Sequence, residues 1–143
     1  MKRILPAIIG FFLLPGVLAA CAPGSPTHEL KMAPANVLPA EVNAAPVSVR
    51  QAYQFAVANP ELLSQIPCYC GCAPAGHTSN YACYVSSVDC SGAINFDYHS
   101  LGCSICVDIT QDTMRMLRDG KSVPEIKAYV DHTYSRYGPS NMP

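Results

Sequence analysis

Three cysteines stand at alternate positions in Pro67-Cys68-Tyr69-Cys70-Gly71-Cys72. Neighbours in such a run are poorly placed to pair with one another, because a disulfide needs particular Cα separations and Cβ directions. Gly71 takes positive φ at little cost and can curl the segment so that its sulfurs converge. Converging thiolates repel each other unless a cation sits among them, so the run is a strong signal for a soft, thiophilic metal. His77 follows five residues after Cys72, and Cys83 comes six residues later. Further along, His99-Ser100-Leu101-Gly102-Cys103-Ser104-Ile105-Cys106 joins a histidine to a Cys-x-x-Cys. Cys103 should sit at the mouth of a helix, with Cys106 one turn inside on the same face. The helix N-terminus favours thiolate in both, a property that serves metal binding and thiol exchange equally.

With Cys90 included, seven thiols and two histidines of this region offer up to nine soft or borderline ligands. A single structural zinc needs four. The surplus points to more than one metal, or to one metal with a disulfide, for which Cys83 and Cys90 are close enough in sequence to form a small loop. His132, between Asp131 and Thr133, reads as a solvated helix residue. No serine elbow and no paired carboxylates argue for hydrolysis, so the sequence identifies no catalytic residue and leans away from an enzyme. A net charge of −1 over 143 residues leaves no basic stripe to neutralise phosphates, which excludes nucleic acid as a partner.

The elements that must hold these ligands are mainly helical. Ser48-Val49-Arg50-Gln51 has the form of a capping box, and Ala52, Phe55 and Ala56 share a helical face behind it. Pro60 suits the first position of a restarted helix, and Pro67 stops it. From Pro67 to Gly102 the signals are Gly, Ser, Asn, Pro and Cys. The region reads as a long loop, with Tyr84-Val85 and Ile94-Asn95-Phe96 as marginal strands, and a loop of this length needs something to hold it. After Cys103, the spacing of Cys106, Ile109, Thr113 and Met116 predicts an amphipathic helix that stops at Gly120. Ser122-Val123-Pro124-Glu125 is a second capping box. The buried face of the next helix is predicted at Val123, Ile126, Val130, Tyr134 and Tyr137. The two helices should form an αα-hairpin. The expected fold is therefore a small, mainly α bundle with a long Cys-rich loop, spanning residues 48–138, followed by a tail at 139–143.

The N-terminus is of a different kind. Lys2 and Arg3 precede an apolar run from Ile4 to Val17, and Leu18-Ala19-Ala20-Cys21 follows. This resembles a bacterial lipoprotein signal peptide (residues 1–20) with its lipobox, and the resemblance implies cleavage before Cys21 and acylation of that cysteine. Two or three acyl chains, such as palmitate, anchor a protein stably. Residues 21–47 carry Pro23, Pro26, Pro34, Pro39 and Pro46 without apolar periodicity, and read as a disordered tether. The expected location is the extracytoplasmic face of a cell membrane or outer membrane.

The PCYCGC run at 67–72, Gly76-His77-x-Ser79-Asn80 with Cys83, the His-xxx-Cys-xx-Cys at 99–106 and the Gly120-Lys121-Ser122 turn together resemble the bacterial PCYCGC-motif lipoproteins. The resemblance implies an exported, lipid-anchored protein that binds metal through Cys68, Cys70, Cys72, His77, Cys83, His99, Cys103 and Cys106. Cys90 falls outside the motif. The segment from Cys103 to Tyr137 also looks like the CxxC-bearing helical bundle of CcmH-type cytochrome c maturation proteins. The favoured expectation is Cu(I) handling, with a metal donor or acceptor protein as partner and zinc as the rival ion. The alternatives are an extracytoplasmic thiol–disulfide oxidoreductase using the CxxC and a structural zinc domain. Metal loading is expected to order the long loop.

Overall fold

A computed structural model describes residues 29–142 of the chain. The expected signal peptide, the lipidation site Cys21 and the first part of the tether lie outside these residues. The described chain is mainly α, a small helical bundle carrying a long Cys-rich loop. Its helices are α1 (Ala40–Ala44), α2 (Val47–Ala58), α3 (Pro60–Leu63), α4 (His99–Gly102), α5 (Ser104–Arg118) and α6 (Val123–Tyr134). One hairpin, β1 (Val85–Val88) and β2 (Ile94–Phe96), stands inside the loop. None of the described helices is long and apolar enough to cross a membrane.

α5 is the backbone of the bundle. It buries Cys106, Val107, Ile109, Thr110, Thr113, Met114 and Met116, a wider stripe than a single row because α2 and α6 pack on two of its sides. α2 contributes Ala52, Tyr53, Phe55 and Ala56, and α6 contributes Ile126, Val130 and Tyr134. Each of the larger apolar side chains stabilises the fold by roughly 1.5–3 kcal/mol through burial. Gly120, with φ +75°, ends α5: its N–H bonds Leu117 O at 2.9 Å and the Lys121 N–H bonds Met116 O at 2.9 Å. That paired closure turns the chain into α6, whose Ser122–Glu125 capping box is formed as predicted. Tyr137, predicted to be buried, is 55% exposed. α6 ends at Tyr134, and the tighter turn at Ser135–Tyr137 rotates the ring away from the helical stripe.

Three further expectations are corrected. The capping box at Ser48 does not form, because α2 starts at Val47 behind Pro46, two residues before the start that box would set, and Ser48 is already helical. The described part of the expected tether, residues 29–47, packs on the domain. Leu38 and Val42 are buried, the Ala33 N–H bonds Gln54 O at 3.0 Å, and Gln54 Nε2 donates back to Ala33 O at 2.9 Å. Two apolar anchors four residues apart and a ladder to α2 suffice, and neither leaves a periodic signal in a proline-rich stretch. The tail is also structural: Asn141 is buried against Cys68.

The loop predicted to need support has it from the protein itself. β1 and β2 pair antiparallel with Val85 opposite Phe96 and Val88 opposite Ile94, and a bulge between Val85 and Ser87. Asp89 closes the turn by accepting the N–H groups of Ser91 and Ala93 at 2.8 and 2.9 Å. Below the hairpin lies a buried polar network. Thr110 Oγ1 donates to Asn80 Oδ1 at 2.6 Å, Asn80 Nδ2 donates to Cys106 O at 3.2 Å, and Tyr84 Oη lies 2.7 Å from Thr110 Oγ1. Fully satisfied networks of this kind fix one arrangement of the elements they join. Here they join the loop to α5 at the residue that carries a cluster sulfur.

Candidate metal centre

The Pro67–Cys72 segment is pinned on both sides. Cys68 N–H donates to Asn141 Oδ1 at 2.7 Å, and the Asn141 N–H donates to Cys68 O at 3.0 Å. Tyr69 Oη donates to Asp131 Oδ1 of α6 at 2.6 Å. Gly138 lies so close that a Cβ there would stand 3.1 Å from Tyr69 O. In an extended stretch, alternate residues share a face. Gly71, with φ +78°, then turns the chain so that Cys72 stays with Cys68 and Cys70 instead of running past them.

Cys106, one turn inside α5, meets this segment. Its Sγ is 3.3 Å from Cys68 Sγ and 3.5 Å from Cys70 Sγ, and Cys68 Sγ and Cys70 Sγ are 3.4 Å apart. Cys83, delivered by the turn before β1, places its Sγ 3.8 Å from Cys72 Sγ. Zinc–sulfur bonds of 2.3 Å at tetrahedral angles separate sulfurs by about 3.8 Å. The Cys72–Cys83 separation matches that figure, and the three among Cys68, Cys70 and Cys106 are 0.3–0.5 Å shorter, so these sulfurs would have to spread slightly to share an ion. All seven described cysteines are free thiols.

The two histidines enter from the other side. His99 Nε2 is 3.4 Å from Cys70 Sγ, and the His77 and His99 rings meet edge to face at 5.0 Å. Asp97 holds both: its Oδ2 lies 3.2 Å from His77 Nε2, and its Oδ1 accepts the His99 N–H at 2.8 Å. Its own main chain is fixed by Tyr53 Oη donating to Asp97 O at 2.7 Å and by the Asp97 N–H donating to Tyr84 O at 2.9 Å. A carboxylate that only accepts keeps the proton of a neutral His77 on Nε2. The lone pair on Nδ1 is left free, and this buried atom has no hydrogen-bond partner among the described residues. A carboxylate behind a histidine is the usual support of a metal ligand.

Three groups of possible ligands overlap here, the ligand atoms in each lying within 4.8 Å of one another: Cys68, Cys70, Cys72 and Cys83; Cys70, His99, Cys103 and Cys106; and Cys72, His77 and His99. These groups can hold a metal ion. Together they contain all eight residues named from the motif, and Cys70, Cys72 and His99 each belong to two groups. The thiols of the cluster strongly influence one another's ionisation. Hydrogen bonds from Cys106 and Cys83 hold Cys68 far below the ordinary thiol range. Burial pushes Cys70 and Cys72 up, with the Cys68 charge acting in the same direction. Cys106 is pushed up chiefly by its bond to Cys68. This reverses the expectation that its place in the first helical turn would favour the thiolate, since packing among other sulfurs outweighs the helix end.

A family model described as a protein of unknown function with PCYCGC motif matches residues 24–143. The chain belongs to the PCYCGC family. No curated protein and no solved structure matches it.

The cysteine outside the family's motif is also outside the cluster. Cys90 is exposed in the turn between β1 and β2. A strand of four residues, about 13 Å long, separates it from buried Cys83, so a Cys83–Cys90 loop is not formed. His132 is exposed on α6, as read. Two supporting residues were missed, Asp97 and Asn141, and Asn80, quoted in the motif, was given no supporting role. Asp97 had a usable signal, an acid two residues before a candidate ligand, where a carboxylate reaches the second following N–H. Asn141 had none, because its partner is 73 residues away.

Proposed function

We propose that this PCYCGC protein is an exported, lipid-anchored Cu(I)-binding protein that holds copper as cargo in its Cys/His cluster. The observation that carries the reading is the gathering of six thiols and two imidazoles into three ligand groups that share Cys70, Cys72 and His99. A lone structural zinc uses four ligands, none shared, whereas soft Cu(I) favours thiolates and clusters that share them. The unpartnered Nδ1 of His77 supports a metal role for the histidines as well. The Leu18-Ala19-Ala20-Cys21 lipobox supports anchoring on the extracytoplasmic face of a cell membrane or outer membrane, and cargo of this kind implies a donor or acceptor protein. Thiol–disulfide exchange has less support, because Cys106 of the CxxC packs against Cys68 and Cys70, Sγ to Sγ at 3.3 and 3.5 Å, within a larger ligand set than a redox dithiol needs.

The test is native mass spectrometry of the reduced, detergent-solubilised protein under anaerobic titration with Cu(I) and with Zn(II). More than one Cu(I) per chain, bound in preference to zinc, is the expected result. One zinc ion that copper does not displace would refute the copper reading and favour a structural zinc.

A further inference from the structure

Resting on the reading of copper as cargo, we propose that the cleft beside Cys103 is the port through which the metal leaves, by exchange onto an incoming thiolate. The cluster is closed on most sides. Cys68, Cys72, His77, Cys83 and Cys106 are buried, the most exposed of them at 7%. Cys70, His99 and Cys103 are half-buried. Of these three, Cys103 lines a cleft of about 270 Å³ whose walls include Ser48 and Val49 of α2, Leu101 and Gly102 at the α4–α5 junction, and Asp108.

Cys103 is also the most weakly committed ligand. It belongs to one of the three groups, whereas Cys70 and His99 belong to two. The other five sulfurs each have a polar neighbour at hydrogen-bond distance, including the pairs Cys68–Cys106 and Cys72–Cys83. Cys103 is instead the residue that precedes the fifteen-residue α5, and no side chain caps that helix start. The first N–H groups of the helix therefore face the same end as the cleft, where they favour an anionic incoming group against the opposing charge of Asp108 in the wall. The cleft is smaller than a typical small-molecule site. It admits a thiolate and a short flanking segment.

The exchange balances without redox chemistry. The incoming thiolate donates a lone pair to Cu(I) and forms a new sulfur–copper bond. The Cys103 Sγ–copper bond breaks with its electron pair staying on sulfur, which then takes a proton from solvent. Copper stays Cu(I), held meanwhile by Cys70, Cys106 and His99 until a second incoming thiolate displaces them. Each freed ligand keeps its electron pair and the sulfurs take protons from solvent. The ion leaves two-coordinate on the incoming sulfurs, with the first exchange limiting the rate. The thiolate can belong to a small free thiol or to a cysteine of an acceptor protein.

The experiment starts from copper-loaded, detergent-solubilised full-length protein and follows loss of thiolate–copper absorption after mixing. One arm uses glutathione, the other a reduced CxxC-bearing protein. Transfer is expected to be first order in thiol, and Ser48→Trp, which fills the exposed rim of the cleft, should slow it at least tenfold with copper stoichiometry unchanged. Cleft-dependent transfer in either arm supports the port and identifies its user. Transfer that Ser48→Trp leaves unaltered in both arms overturns it. Alkylation of the loaded wild-type protein gives an independent reading. Cys90 should react first and Cys103 next, and modification of Cys70 ahead of Cys103 would place the port elsewhere. A protein that takes up no copper at all would overturn the proposed function itself, a result distinct from cleft-independent release.

Discussion

Asp97→Asn is the sharpest perturbation of the centre, because it changes a proton's position while leaving every cluster ligand in place. In the wild type, Oδ2 accepts from His77 Nε2 at 3.2 Å and Oδ1 accepts the His99 N–H at 2.8 Å. An asparagine that keeps the second bond must point its NH₂ at His77. A donor there requires Nε2 to accept, so the ring proton moves to Nδ1, the atom that otherwise has a free lone pair. The main-chain bonds of residue 97 to Tyr53 and Tyr84 survive the substitution, so the fold should persist. Outer partners of metal ligands are worth about 10–100-fold in affinity, equivalent to roughly 1.4–2.8 kcal/mol. Asp97→Asn should therefore weaken copper binding by that factor, measured by competition with a chromophoric Cu(I) chelator at fixed pH. Asp97→Ala should weaken it less than Asp97→Asn, since it loosens His77 without forcing the wrong tautomer. Wild-type affinity within twofold for both variants would refute a ligand role for His77 Nδ1.

Asn141→Ala leaves the Cys68 N–H buried without its acceptor, which costs about 1–3 kcal/mol; a lower urea midpoint with unchanged slope is expected. The same variant removes the Asn141 Nδ2 contact to Cys72 Sγ at 3.7 Å, so its copper affinity should fall as well. Because burial pushes Cys70 and Cys72 up, both keep their protons at neutral pH until metal displaces them. Affinity should fall about tenfold per unit of lowered pH for each proton released, and titrations at pH 6, 7 and 8 measure that slope. Cys21→Ser should abolish incorporation of labelled palmitate and release the protein from membranes, whereas retention of label would refute acylation at Cys21.

The bundle was legible at most points where local chemistry decides the outcome, the Ser48 capping box excepted. The stop at Gly120 and the Ser122 capping box need only neighbouring residues, and the α5 stripe needs only helical spacing. The site was legible to the same degree, because metal-binding side chains are few in kind and the PCYCGC spacing is distinctive. What stayed hidden depends on distant partners. Leu38 and Val42 look like tether residues until α2 is beside them, and Asn141 looks like tail until it meets Cys68. Cys106 shows the same limit in electrostatics. Its place in the first turn of a helix favours a thiolate, but the sulfurs packed around it reverse the preference.

Those long-range ties change what removal of metal should do. A long loop without regular structure would collapse once its metal left, and the domain would behave like a zinc finger, unfolded when empty. Here the loop has protein partners of its own: Asn80 and Tyr84 bond to α5, Tyr69 bonds to α6, and the Cys68 backbone pairs with Asn141. Tyr53 and Tyr84, both fully buried, meet edge on at 4.9 Å and join α2 to the loop without any ion. A centre that held its metal as cargo would have to survive the loss of that metal, and this wiring would let it do so. Chelation of the loaded protein should leave the far-ultraviolet circular dichroism nearly unchanged and retain a cooperative thermal transition at lower temperature. Faster amide exchange should be confined to residues near 70–78, where the turn at Gly71 and the short helical turn after Cys72 have the fewest ties. Loss of the helical signal on chelation would show instead that the ion is structural, and the copper-cargo reading would fall with it.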